Sequence, residues 1–207
     1  MKNKDQGLAG LIVIGISLVI FGLACGGGNS SSTPTKMVDG KEVKVVIGAP
    51  DQVKFHAEVA TYGSSYFDAG NEMKKSKVYR DLRAFLTGYL KSGAIRNWEG
   101  RITDTGTTEG GSKAYVKIEA NFEGKQIVYK TWNNQLSDFS THSMLSLNSP
   151  VYKQVENLAE GDNVVFSGSF LRDSKKGFSE SSLSEQGTVT DPEYIIRFTS
   201  ITKKEEK

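Results

Sequence analysis

The hydrophobic pattern changes character along this chain, and each change marks a different kind of segment. Leu8 to Ala24 is a 17-residue uncharged, mostly apolar run preceded by Lys2 and Lys4. A charged start, an apolar middle and a small-residue exit form the pattern of an export signal. Gly26 to Thr35 follows, rich in Gly and Ser with one proline, and is too poor in apolar residues to fold on its own.

Lys41 to Gly48 alternates, with Val43, Val45 and Ile47 to one side, which predicts a short strand before Pro50-Asp51. Gln52 to Phe67 carries Phe55, Val59, Tyr62 and Tyr66 at helical spacing. Asn71 to Leu90 is a second helix, with Val78, Leu82, Phe85, Leu86 and Tyr89 as its stripe and Lys74, Lys75, Lys77, Arg80 and Arg83 mostly off it. Gly93 closes that helix.

Beyond Gly93 the period falls to two. Trp98 to Asp104 alternates, and Gly110-Gly111 makes a turn. Ala114, Val116, Ile118, Ala120 and Phe122 then face one way, and Tyr115, Lys117, Glu119 and Asn121 the other. Glu123-Gly124 fits a two-residue hairpin loop, after which Ile127, Tyr129 and Thr131 oppose Val128, Lys130 and Trp132. One helical insert follows, with Ser149 as cap, Pro150 in the first turn, Val151, Val155 and Leu158 on one face and Gly161 as its end. Asn163 to Arg172 and Glu193 to Thr202 supply two more strands, separated by a polar stretch, Asp173 to Asp191, that reads as a long loop. Strand, strand, strand, helix, strand, strand predicts an α+β chain built on a five-stranded OB-type β-barrel. The expected division is a signal or anchor over 1–24, a flexible tether over 25–40, a short strand and helical lead-in over 41–92, and the barrel over 93–203.

Charge narrows the partners. The chain has 26 basic and 24 acidic residues, and without Met1 to Ala24 it keeps 24 and 23. That near-neutrality argues against a dedicated nucleic-acid binder, which gains affinity from each phosphate it neutralises. Cys25 is the single cysteine, so no disulfide can form within the chain.

The stretch Gly22-Leu23-Ala24-Cys25 resembles the lipobox of bacterial lipoproteins, with Gly22 where that motif carries a large aliphatic residue. The resemblance implies lipidation of Cys25 and cleavage before it. An uncleaved helix over 8–24 is the alternative, short of the ~20 residues that a span requires. Either anchor places the body in the bacterial cell envelope, facing the periplasm or the exterior, because Lys2 and Lys4 stay cytoplasmic.

Five further stretches carry a second resemblance: Asn71-Glu72-Met73-Lys74-Lys75-Ser76, Arg96-Asn97-Trp98-Glu99-Gly100, Thr131-Trp132-Asn133-Asn134, Gly161 to Gly168, and Asp191-Pro192-Glu193-Tyr194 with Phe198. Together they resemble the bacterial tRNA-anti-like OB-fold family, over roughly Phe55 to Ile201. The resemblance implies a helical lead-in on an OB barrel in a family with many membrane-tethered members. It supplies no catalytic residue.

Candidate chemistry is sparse. His56 and His142 are the only histidines, lack partners at ligand spacing and read as surface imidazoles, so no metal or cofactor is expected. No Gly-x-Ser-x-Gly elbow occurs, and Ser179 to Glu185 reads as a mobile acidic loop. The basic side of the second helix suits either anionic lipid or plain solvation. The strongest candidate is a binding face of Tyr115, Lys117, Tyr129, Lys130 and Trp132, since OB barrels hold extended polymers across their second and third strands. Trp98 and Trp132 have a second reading as barrel core. These features predict an envelope-anchored, non-catalytic binding or adaptor module, membrane-held through Cys25 lipid or helix 8–24, for a protein or glycan partner. Two alternatives stand beside it: a single-stranded nucleic-acid binder using Lys117, Lys130 and Arg197, and an envelope hydrolase.

Overall fold

A computed structural model describes residues 35–38, 41–44, 48–89, 93–173 and 176–205. The apolar run, Cys25, Val45 and Ile47 lie outside the described residues. Among those described, no helix is long and apolar enough to cross a membrane.

Two short strands come first. β1 (Thr35–Val38) pairs antiparallel with β2 (Lys41–Lys44), so a strand stands inside the stretch expected as tether. Two helices follow, α1 (Pro50–Asp68) and α2 (Glu72–Tyr89). The sheet then runs through β3 (Ala94–Thr107), β4 (Lys113–Phe122) and β5 (Lys125–Lys130). Glu123 and Gly124 join β4 to β5 with φ of 49° and 81°, the paired positive values a tight two-residue hairpin needs. After β5 come α3 (Gln135–Asp138), β6 (Leu145–Ser146) and α4 (Pro150–Val155). The remainder is β7 (Asn163–Phe170), β8 (Arg172–Asp173), β9 (Gly177–Phe178), α5 (Glu185–Thr190) and β10 (Glu193–Lys203).

The result is an α+β protein with a mainly β core. β3 is long enough to serve two neighbours, pairing with β7 through its first half and β4 through its second. β7 pairs with β10, whose first residues run parallel to β5, and β5 returns to β4. The expected regular barrel is not formed. β10 meets β5 over only three residues, β6 adds to the margin of β4, and register breaks at Ile95/Trp98, Ile102/Asp104 and Phe198/Ser200 bend the strands unevenly. Gly168 lies between two of those breaks, and a Cβ there would stand 2.6 Å from the Arg197 carbonyl oxygen. Only glycine lets β7 approach β10 so closely.

Alternation builds the interior as the sequence predicts. Ala114, Val116, Ile118 and Ala120 of β4 are buried with Ile127 and Tyr129 of β5, Val164, Phe166 and Phe170 of β7, and Tyr194, Ile196 and Phe198 of β10. α1 lies over one end of this interior. Its Phe55 is fully buried, with ring centroids 5.4 Å from Trp98, 5.4 Å from Phe170 and 5.7 Å from Tyr194. Polar bonds fix the helix there. The Gln52 amide donates to the Glu99 carbonyl at 2.6 Å and accepts from the Glu99 N–H at 2.8 Å, imitating a strand partner. Asp51 accepts from the Trp98 indole at 2.9 Å. α4 packs Val151 and Val155 inward, and its Gln154 accepts from the Ile201 N–H at 3.1 Å.

Two sequence expectations need correction here. Ser149 caps α4 as expected by accepting from the Tyr152 N–H, yet the helix ends at Val155; Gly161, with φ of 94°, instead shapes the turn before β7 and donates to the Ile102 carbonyl. The stretch Asp173 to Asp191 is not a plain loop. It holds the β8–β9 hairpin and α5, because Phe178 stacks on Phe170 at 4.2 Å and Val189 is fully buried.

Truncating Phe55 to Ala should remove the ring that joins α1 to the sheet and destabilise the protein by roughly 3–5 kcal/mol, the usual cost of a buried aromatic. Urea unfolding checks this; a loss below about 1 kcal/mol would mean that α1 is not part of the cooperative core.

Candidate functional site

Four of the five candidate face residues lie on the outer side of β4, β5 and the chain leaving β5. Lys117 pairs with Lys130 across β4 and β5, while Tyr115 stands nearer the start of β4 and Trp132 two residues past the end of β5. Bonds past the end of β5 hold the chain to β4: the Thr131 N–H donates to the Val116 carbonyl at 3.0 Å, and the Val116 N–H donates to the Thr131 hydroxyl at 3.1 Å. Tyr115, Lys117, Lys130 and Trp132 are all partly exposed. Tyr115 lies across Gly106, where a Cβ would come 2.6 Å from its hydroxyl oxygen. The Trp132 indole N–H is screened from solvent and has no protein acceptor.

Tyr129 does not belong to that face. The two-residue period turns it inward beside Ile127 and Thr131, where it is fully buried. Its hydroxyl lies 2.6 Å from Nε2 of His56. His56 is likewise not a surface imidazole, since α1 presents it beside Phe55 to the sheet end. It stacks on Tyr129 with centroids 5.9 Å apart and meets the edge of Trp98 at 6.1 Å. Burial pushes the His56 imidazole down to about 4, so it is neutral near pH 7. His142 is exposed, with a φ of 50°. Trp98 takes the core role that the sequence offered as its second reading, whereas Trp132 stays partly exposed.

The lysines on the outer face are answered by carboxylates. Lys117 lies 3.1 Å from Glu119, and Lys130 lies 2.9 Å from Glu193, which also accepts from the Ser181 hydroxyl. Burial raises the Glu193 carboxyl, but the bonds from Ser181 and Lys130 outweigh it and hold it below its ordinary value. Arg197 turns elsewhere and donates to the Thr141 carbonyl at 2.6 Å. Neither lysine is a free cation.

Beyond β5 the chain makes a turn that sequence periodicity did not reveal. Asp138 is buried and accepts from the N–H groups of Ser143 and Met144 and from the hydroxyls of Ser143 and Thr141, with Lys113 3.4 Å away. Burial alone would raise its carboxyl, yet these donors hold it below the carboxylate norm. On the same turn Leu136 and Phe139 stand out into water, 89 % and 81 % exposed. Each forgoes roughly 1.5–3 kcal/mol that burial would supply. A signal was present in the sequence, since Asn134 precedes Ser137 as a helix cap would, but the element is too short for a periodic stripe.

Other groups also depart from expectation. Glu180, placed by sequence in a mobile acidic loop, is half-buried; burial raises its carboxyl, and it accepts from Thr188 at 2.9 Å. A surface groove beside the bulges of β3 and β10 is lined by Arg96, Asn97, Ser167, Ser169 and Thr199 together with apolar and glycine positions, without a carboxylate or an imidazole. Among the described residues no group of three His, Cys, Asp or Glu side chains could hold a metal ion.

These features define a small α+β protein with a helix-closed core and an aromatic, ion-paired outer face. No family model and no curated protein matches the chain. The functional argument therefore rests on the residues themselves.

His56 makes stability pH-dependent in a defined direction. Its folded pKa, about 4, lies below the ordinary 6.5, so its stabilising contribution is complete above pH 6.5 and is lost as pH falls toward 4. The loss should reach roughly 3 kcal/mol. Urea unfolding of the wild type and of His56→Gln between pH 7 and 4.5 checks it: the gap between the two proteins should close or reverse as pH falls, and parallel curves would contradict the assignment.

Proposed function

We propose that this chain is an envelope-anchored, non-catalytic module of OB type that holds an extended partner of low charge on the outer face of β4 and β5. The OB reading is supported by strand order: β3, β4 and β5 in sequence, a helix between the third and fourth core strands, and a parallel contact between the third and the fifth. The five stretches that resemble the tRNA-anti-like family lie across the same helices and strands. Anchoring is supported by the sequence from Lys2 to Cys25, as a lipidated cysteine or as a retained helix over 8–24.

The observation that carries the binding reading is the partial exposure of Tyr115 and Trp132 on a face whose lysines are answered by Glu119 and Glu193. Aromatic rings without free cations suit sugar rings or a peptide segment. A phosphate polymer asks for the opposite, since its affinity comes from uncompensated positive charge. A glycan strand or an extended segment of an envelope protein fits such a face.

Titration with soluble glycan fragments and with crosslinked envelope partners tests the assignment. Tyr115→Ala and Trp132→Ala should each weaken binding about tenfold, the worth of one stacked ring. Binding to single-stranded oligonucleotides that falls steeply with salt would support the nucleic-acid reading in its place. For the anchor, Cys25→Ser should abolish incorporation of a fatty-acid analogue and leave precursor of full-chain mass. Labelling that persists in this variant would remove lipidation from the proposal.

A further inference from the structure

We propose that the turn after β5, residues 131–144, is a membrane-contacting tip that seats Leu136 and Phe139 among the headgroups of an anionic bilayer. The proposal rests on the tethered reading above and adds to it a second point of contact.

The turn is built inside out. Its one acidic residue, Asp138, is buried and takes four hydrogen bonds from Thr141, Ser143 and Met144, while Leu136 and Phe139 are exposed and Met144 alone of its large apolar side chains is buried. A solvated turn of this size has the reverse arrangement, with the carboxylate in water and the apolar groups inside. The interior bonds fix the backbone that displays Leu136 and Phe139, so their exposure belongs to the ordered structure.

Charge points to the occupant. Residues 131–149 contain no Lys, Arg or Glu, and Asp138 is matched by Lys113. At the base of the turn Arg197 is exposed, holds the Thr141 carbonyl and has no carboxylate partner among the described residues. An uncharged apolar tip with a cation behind it complements anionic headgroups over acyl chains. Shape agrees, because two side chains three residues apart on one helical turn can insert singly, whereas a stable protein interface needs a broad face of about 800 Å² on each partner.

Either anchor over 1–25 holds the chain to the bilayer without fixing how the body faces it, and a second contact sets that orientation.

The test uses the full chain reconstituted into vesicles of phosphatidylethanolamine and phosphatidylglycerol. Trp98 is buried and Trp132 is replaced by Phe, so Phe139→Trp supplies a reporter at the tip. Because Phe139 is mostly exposed, the substitution should leave the thermal midpoint unchanged. The expected result is a shift of the reporter to shorter wavelength and at least twofold stronger quenching by lipids brominated along the acyl chain than in the parent without it. Leu136→Ser should reduce that quenching. Flotation separates the two readings. Protein that floats with the vesicles while the reporter stays unquenched keeps the anchor and overturns the tip. Protein that does not float, yet is quenched by added vesicles, loses the anchor and keeps the tip; neither floating nor quenching removes both. A photo-crosslinker at position 139 that traps one protein, without lipid quenching, would assign the turn to a protein contact and overturn the lipid proposal.

Discussion

A coiled sheet of short strands leaves its inner side chains open to water at the ends, and in this protein α1 closes one of them with Phe55 and His56. The contact is apolar in its bulk and polar at its margin. Phe55 sits among the rings of Trp98, Phe170 and Tyr194, and Gln52 and Asp51 tie the helix to Glu99 and Trp98. Rings from β3, β7 and β10 meet there, so the helix bridges strands that pair only in part with one another. α2 and α5 then pack around α1. A neutral histidine is the compromise that this closure requires, because the helix face that carries Phe55 also turns His56 out of water.

Much of this architecture was legible in the sequence where one period persisted long enough to read. The stripe of α2, the alternation of β4 and the Glu123-Gly124 turn each follow from local rules, and they stand where those rules set them. Tyr129 was misplaced for a simple reason. It alternates with Lys130 and so had to lie on the opposite face, yet tyrosine suits a wet face and a core equally well. His56 was misread from its residue type, for by spacing it lies on the same buried stripe of α1 as Gln52, Phe55, Val59 and Gly63. The span from 173 to 191 looked like a loop because its elements are two to six residues long, shorter than a hydrophobic period can register. Their order comes from long-range contacts, chiefly Phe178 on Phe170, which no local pattern encodes.

The outer surface divides its labour by charge. On β4 and β5 the lysines are neutralised by nearby carboxylates, leaving aromatic rings as the features that differ from bulk surface. On the turn after β5 the acidic group is withdrawn altogether, and what remains outside is hydrocarbon with an arginine behind it. Both arrangements lower the cost of meeting something poor in free charge, and they lie on adjoining parts of the chain. Orientation and binding would then be coupled, since the segment that ends the candidate face also begins the tip.

The parallel seam between β5 and β10 bears on when this molecule can exist as a folded object. β10 comes last in sequence among the described elements, and it joins β5 on one side and β7 on the other. A chain delivered N-terminus first, from a ribosome or through a translocation pore, cannot complete its sheet until Glu193–Lys203 has emerged. Before that moment Phe55 lacks Tyr194 as a neighbour and the facing edges of β5 and β7 are unpaired, the condition in which strands adhere to other chains. Closure also joins residues far apart in sequence, which slows it. The element order thus makes closure wait on Glu193–Lys203, whatever part of the sheet has already formed.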